Sequence, residues 1–431
     1  MFKRSRRSRN PRINQRSAYL ADGNNSDQNA FRRHRPDYWL IIIAFLLLTI
    51  GIVVVYSISP ALAAAQGISE HYYVTKQLIA LLMGMAAFAL LSALPLSAVK
   101  RITKTLVWLS FIMIAAVQLF GQEANGAYRW IQVAGFSFQV AELVKLTLVI
   151  WLAGFLVQRI SNQEIQSTNK TLRPLVIVIG LIGLLIAGLE SDLGSAGVMI
   201  AIVAVMGFSA GLPLKKIGII VGIILLLTTL AISSTPYRRD RLASFLNPAR
   251  DCQDEGYQSC QALIAIGSGG VFGLGLANGV QAYGYLPEAE NDSIFAILGE
   301  KFGFFGTSAI IGLYAVLFAR MRRIILRTSD YFSRLVVIGV LAWLSIQTII
   351  NIGAMIGLLP LKGITLPFIS YGGTSLVFVM AAVGLVFQIS RYTSYSTVRS
   401  ASIKEKEGDT IEDSFSRRRQ RRPYYASSGS R

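Results

Sequence analysis

The sequence predicts an all-α integral membrane protein of about ten transmembrane helices, with both termini cytoplasmic and a large extracytoplasmic loop between spans seven and eight. Three observations predict it: long apolar runs almost free of charge, basic residues concentrated in alternate short connections, and one connection far too long to be a turn.

The runs come first. Of 431 residues, 53% are hydrophobic and only 15% are charged, whereas a soluble domain carries about a quarter charged residues. The apolar stretches are Leu40–Tyr56, Leu78–Leu96, Thr105–Gly121, Leu146–Val157, Leu175–Gly188, Gly194–Gly211, Ile217–Ser233, Phe304–Phe318, Leu335–Leu359 and Ser375–Ile389. At about 1.5 Å per residue, most can cross the greater part of a ~30 Å hydrocarbon core. Leu146–Val157 needs flanking polar residues to complete a span. Lipid offers backbone groups no partner, so spans are helices or closed barrels. Barrel strands would alternate polar and apolar residues, and these runs do not.

Orientation follows from charge. The formal net charge is +19, and the basic residues of the tails and short loops gather on one side when spans are counted alternately. That side receives the arginines of residues 1–36, then Lys100, Arg101 and Lys104, then Arg159, Lys170 and Arg173. Lys215 and Lys216 follow, then Arg320, Arg322, Arg323 and Arg327, and last the tail after Arg391. This is the positive-inside pattern, which the arginines of the long outer loop escape, as loops beyond about 60 residues can. Residues 1–36 and 393–431 read as disordered basic cytoplasmic tails around a membrane domain at 37–392. The first span, after so long a polar leader, reads as an anchor rather than a cleaved signal. The tails suit contact with anionic membrane lipid better than a folded nucleic-acid surface, so no nucleic-acid partner is expected.

The long connection, about 234–303, is the expected outer catalytic loop, since loops of this length are usually functional. It holds Arg238, Arg239 and Arg241 beside Glu288, Glu290, Asp292 and Glu300. Arginines of this kind grip an anionic group such as a diphosphate bidentately, while ordinary salt bridges account for most of the carboxylates. The Gly-rich stretch 262–279 reads as a re-entrant or interfacial half-helix followed by a turn. A nucleotide-binding loop fails there, because no strand precedes it and no Lys-Ser/Thr follows. Cys252 and Cys260, the two cysteines of the chain, fit either a disulfide or two separate thiols. The two histidines lie far apart without a ligand motif, so no protein metal site is expected.

Two further outer segments break the helical pattern. Residues 122–145 contain Arg129 and Trp130, then Glu142 and Lys145, whose i,i+3 spacing puts both on one helix face where they can neutralise each other. Residues 351–375 contain Pro360, Pro367, Gly372 and Gly373. Broken backbone at this depth is tolerated where it lines a cavity or is buried in protein.

These segments carry a resemblance. The stretch GLLPLKGITLPFISYGGTSL resembles the signature of the SEDS family of bacterial cell-wall proteins. NGAYRWI…FSFQVAELVKL, SDLGSA, FLNPARD…GYQSCQALIAIGSGGVFGLGL and YLPEAENDSIFAILGEKFG are similar to further family segments in the same order, together covering about residues 40–392. Lys362 and Thr365–Phe368 lean toward the FtsW-like division branch over the RodA-like elongation branch. The resemblance implies a peptidoglycan glycosyltransferase in the cell membrane at the division septum. It would polymerise lipid II on the outer leaflet and release undecaprenyl diphosphate, by inversion. Its implied partners are a class B penicillin-binding transpeptidase and other divisome proteins, and a divalent cation (Mg or Mn) is a possible cofactor. The family's essential carboxylate falls on Asp292, the expected catalytic base. Arg129, Trp130, Glu142, Lys145, Arg238, Arg239, Arg241, Glu288, Lys362 and Ser370 form the expected substrate-binding set. The family's usual His-Thr-Asp-Phe is here Glu290-Asn291-Asp292-Ser293, a departure that keeps the acid. A lipid II flippase and a non-catalytic divisome scaffold are the competing readings. Intramembrane charge and broken helices also suit transport, but a flippase needs polar groups through the membrane centre and a scaffold needs no Asp292.

Overall fold

In a computed structural model the protein is described over residues 35–124, 127–133, 136–190, 192–218, 221–222, 252–253, 256–361 and 363–392. Arg238, Arg239, Arg241, Lys362, both tails and most of the expected seventh span, Ile217–Ser233, lie outside the described residues. The helices are α1 (Tyr38–Gln66), α2 (Tyr72–Ala93), α3 (Leu96–Phe120), α4 (Val140–Ser161), α5 (Arg173–Ile182), α6 (Leu193–Ser209), α7 (Tyr257–Gly269), α8 (Ile294–Arg327), α9 (Tyr331–Met355) and α10 (Gly373–Ser390). Two π-helical segments, Thr168–Leu172 and Gly183–Leu189, flank α5. Eight of the described helical segments are long and apolar enough to cross a membrane, and α6 is a shorter apolar helix.

Local chemistry sets the boundaries. Asp37 caps α1 by accepting from the Trp39 backbone N–H at 3.2 Å, and Gly67 ends it in the left-handed conformation, the usual pairing of an acidic start and a glycine stop. Asp192 and Asp330 cap α6 and α9 in the same way.

The all-α expectation needs one correction. Residues 122–139 form a small antiparallel sheet, β1 (Gln122–Ala124), β2 (Ala127–Val133) and β3 (Phe136–Gln139), in sequential order. The β2–β3 register pairs Trp130 with Gln139 and Gln132 with Ser137, whose side chains bond across the strands at 2.7 Å. Aromatic and β-branched residues favour such a half-covered pleat. Phe138 then packs edge-on against Phe378 of α10, with ring centroids 5.9 Å apart.

The core lies in α4, α9 and α10, which are buried along most of their length, whereas α2 and α3 keep broad apolar faces open. Helix α10 packs chiefly on α2, and α9 on α6, α8 and α4. The expected span Phe304–Phe318 is the second half of a longer helix broken at Gly303 (φ 62°, ψ −162°). The backbone of residues 270–275 threads against that break. Leu274 N–H donates to the Glu300 carbonyl, Gly275 N–H to that of Lys301, and Phe304 N–H to that of Gly270, all at 2.9–3.0 Å. A side chain at Gly273 would sit 2.2 Å from the Lys301 carbonyl oxygen, so the glycine there permits backbone-to-backbone contact. Glu300 accepts from the Val280 and Gln281 N–H groups at 2.8 and 3.1 Å, and Lys301 donates to the Leu276 carbonyl at 2.6 Å. These two buried charges hold the break together.

The two ends of the bundle differ. At one, Arg320 of α8 grips Asp37 through both oxygens at 2.7 and 2.8 Å, and Ser390 of α10 accepts from the Asp37 N–H. Lys100 lies over the Phe332 ring at 4.5 Å. The opposite end of these same helices carries the sheet and the turn bearing Asp292.

Candidate functional site

Asp292 lies in a tight turn just before α8, and the turn is over-determined by its own chemistry. Glu288 takes a positive φ of 52°, and its carbonyl accepts from the N–H groups of Asn291 (3.0 Å) and Ser293 (3.1 Å). The Glu288 carboxylate accepts from the Asn291 side chain at 2.6 Å. Ser293 donates to the Pro287 carbonyl and accepts from Gln258 of α7. Cys252 and Cys260 are joined as a disulfide with Cα atoms 5.6 Å apart, tying the start of α7 to the chain before it.

Three successive carbonyls of the turn are captured from outside. That of Glu290 accepts from the Tyr371 N–H at 2.8 Å. Asn291's accepts from the Ser370 hydroxyl at 2.6 Å, and Asp292's from the Asn351 side chain at 2.7 Å. Ser370 also accepts from the Leu366 N–H at 2.7 Å. Ser370 therefore fixes the acid-bearing turn to the Pro-rich segment before α10, where Phe368 has φ 70°. The half-buried Asp292 carboxylate faces that segment, with Oδ2 3.8 Å from where a Cβ on Gly363 would stand.

Beneath the turn runs a buried polar chain. Lys145 donates to Glu142 at 2.8 Å and to Gln347 at 3.0 Å, and lies 5.4 Å from the centroid of Trp343. Gln347 Oε1 also accepts from the Trp343 indole at 2.8 Å, while its Nε2 donates to the Thr365 carbonyl and hydroxyl. Glu142 and Lys145 are essentially inaccessible, so the pair lines no open surface in this state. Of the expected set, the structure brings Asp292, Glu288 and Ser370 into one cluster and joins Glu142 and Lys145 below it. Arg129 and Trp130 are placed on β2.

Glu290, two residues from Asp292, is nearly buried. Burial raises its pKa above the ordinary carboxylate range and the Glu288 charge adds to this, with a backbone hydrogen bond and Tyr73 opposing part of it. Burial likewise raises the Tyr371 hydroxyl, whose ring meets Tyr73 edge-on at 5.2 Å. Among the described residues no three acid, histidine or cysteine side chains converge as a metal site. Sequence reasoning passed over Gln347 and Asn351; the available signal was two carboxamides four residues apart inside an apolar span.

A family profile described as cell cycle protein, covering FtsW, RodA and SpoVE, matches residues 38–395. Stage V sporulation protein E of Bacillus subtilis is 37% identical over 84% of this chain and 99% of its own length. A probable peptidoglycan glycosyltransferase FtsW of Saccharophagus degradans is 38% identical over 83% of this chain and 92% of its own. Among solved structures, one chain of a peptidoglycan synthase complex coordinating polymerization and crosslinking superposes with TM-score 0.67 at 27% identity, over 83% of this chain and 98% of that one. The rod shape determining protein RodA of Thermus thermophilus gives TM-score 0.58 at 26% identity, over 83% and 98%. With the long apolar helices, these matches make the chain a multi-pass membrane protein, and it belongs to the SEDS family of FtsW/RodA/SpoVE cell cycle proteins.

Proposed function

We propose that this protein is a peptidoglycan glycosyltransferase that polymerises lipid II into β-1,4-linked glycan on the outer leaflet during division, with Asp292 as general base. The observation that carries the reading is the capture of three successive carbonyls around Asp292, which holds one carboxylate on a rigid turn in a chain of this family. Ten spans, cytoplasmic termini and an outward-facing turn belong to the same proposal. They rest on the charge pattern and on the position of Asp292 at the end of the bundle opposite the Arg320–Asp37 pair.

The acceptor sugar's 4-hydroxyl attacks the anomeric carbon of the donor. As the new C–O bond forms, the bond to the diphosphate breaks and the hydroxyl proton passes to the Asp292 carboxylate. A single displacement converts an α-linked donor into a β-linked product, so no covalent intermediate is needed. The departing diphosphate gathers negative charge, for which Arg238, Arg239, Arg241 and Lys362 are the cations proposed; Arg129 is a further one. The described residues do not form a three-donor cage for a divalent cation. A class B penicillin-binding transpeptidase is the proposed partner, because a structurally similar chain is part of a peptidoglycan synthase complex.

The test is polymerisation of lipid II by the purified chain with that transpeptidase. Asp292→Asn, which keeps the shape and removes the base, is expected to abolish glycan polymer while the melting temperature stays within the wild-type range. Wild-type polymer yield from Asp292→Asn would move the base elsewhere, and lipid II translocation without polymer from the wild type would favour transport.

A further inference from the structure

Helix α9 presents two carboxamides, Gln347 and Asn351, one turn apart and therefore on one face. Both are fully buried. We propose that Gln347 and Asn351 are positioning residues that fix the Asp292 carboxylate and the wall it faces as one unit. The proposal rests on Asp292 being the base.

Asn351 donates its two amide hydrogens to two carbonyls, that of Asp292 at 2.7 Å and that of Ile364 at 2.8 Å. The reverse orientation would aim its oxygen at two carbonyl oxygens, so this orientation is forced. One amide group thus sets both the backbone of the acid and the strand of chain next to Gly363, which the carboxylate faces. Gln347 repeats the device one turn earlier. It receives two hydrogen bonds from Lys145 and Trp343 and gives two to Thr365, the residue after Ile364. Consecutive carbonyls, 364 and 365, are therefore pinned to a single helix face. With the carbonyls of Glu290 and Asn291 also held, the peptide groups on both sides of Asp292 are tied to their surroundings.

A base must lie within hydrogen-bond reach of the proton it removes, and a misplacement of about 1 Å costs on the order of 100-fold in rate. Substrate affinity has no such dependence, because neither carboxamide touches the open face. Losing either residue is therefore expected to lower kcat and leave KM in place.

The experiment uses the full chain with its transpeptidase partner and lipid II, read as steady-state polymerisation. Asn351→Leu is expected to lower kcat by about 10- to 100-fold with KM for lipid II within about 2-fold, and Gln347→Leu to act in the same sense. Asn351→Asp supplies a readout that a merely structural role would not move. Its carboxyl donates a hydrogen bond only when protonated, and buried between two carbonyl oxygens it keeps its proton toward neutral pH. The ratio of variant to wild-type kcat is then expected to fall as pH rises from about 6 to about 9.

A kcat equal to wild type in Asn351→Leu, a loss carried by KM, or a flat kcat ratio for Asn351→Asp would each overturn the proposal. Should Asn351→Leu fail to fold, the Asn351→Asp ratio decides alone. Asp292→Asn run beside these separates the two failures: polymer from that variant removes the base assignment itself, whereas its inactivity with unaffected Asn351 variants removes only the positioning role.

Discussion

Replacing Lys145 with methionine tests whether the ion pair under the site holds the fold. Both partners are inaccessible, with side-chain exposures of 1% and 3%, and Glu142 Oε2 has no hydrogen bond among the described residues. Removing the ammonium leaves Glu142 as an uncompensated buried charge, which costs about 3–5 kcal/mol. Loss of the bond to Gln347 adds about 1 kcal/mol, and the Trp343 cation–π contact at 5.4 Å adds a further fraction of this. The double variant Glu142→Gln/Lys145→Met removes both charges at once, so only about 1–2 kcal/mol should remain, from the Gln347 and Trp343 contacts. Lys145→Met alone should therefore exceed the double variant by about 3–5 kcal/mol, the uncompensated-charge cost itself. Glu142→Gln, which strands the ammonium in turn, raises the coupling of the four-member cycle above that value. Reversible unfolding of the four proteins in one detergent, followed by tryptophan fluorescence, reads it. The coupling should also be nearly independent of salt, because buried pairs are screened far less than exposed ones. A coupling below about 0.5 kcal/mol, or one that disappears on adding salt, would refute the burial on which the estimate depends.

Two other outcomes are expected. Glu290→Gln should stabilise the protein at neutral and alkaline pH and lose that advantage in acid. Burial raises the folded pKa of Glu290, so folding favours its protonated form. Its contribution is favourable at low pH and is lost as pH rises through the folded pKa; melting temperatures compared across pH would show a constant difference if this were wrong. Reducing the Cys252–Cys260 bridge, which closes a sequence separation of 8, should lower stability by about 2–3 kcal/mol. Alkylation of both cysteines without reductant, detected by intact mass, would mean that no bridge forms.

The membrane class was legible because hydropathy is additive along the chain, and apart from the expected seventh span each apolar run overlaps a described helical segment. Boundaries were less legible where a charge is satisfied inside the protein. Helix α4 begins at Val140, several residues before the apolar run Leu146–Val157, because Glu142 and Lys145 neutralise each other and need no water. Helix α8 begins at Ile294 for a related reason: Glu300 and Lys301 spend their charge on the backbone of residues 276–281. The small sheet was missed because a search for apolar runs discards short alternating segments. Yet Tyr128-Arg129-Trp130-Ile131-Gln132-Val133 carries the aromatic and β-branched composition of a strand.

Asp292 and Ser370 could be found from the sequence because the chain is visibly irregular around both. Gln347 and Asn351 leave a fainter signal, two carboxamides four residues apart in an otherwise apolar helix, and several of the partners they bind are backbone carbonyls, which every residue has. An intramembrane carboxamide is costly unless its donors and acceptors are met. Two of them on one face of a buried helix therefore imply a broken stretch of chain lying alongside with carbonyls to offer. Here that stretch is the Pro-rich segment, whose proline at 367 and left-handed Phe368 keep it from making a helix of its own. The broken segment and the polar stripe of α9 account for each other, and the acid is held where the two meet.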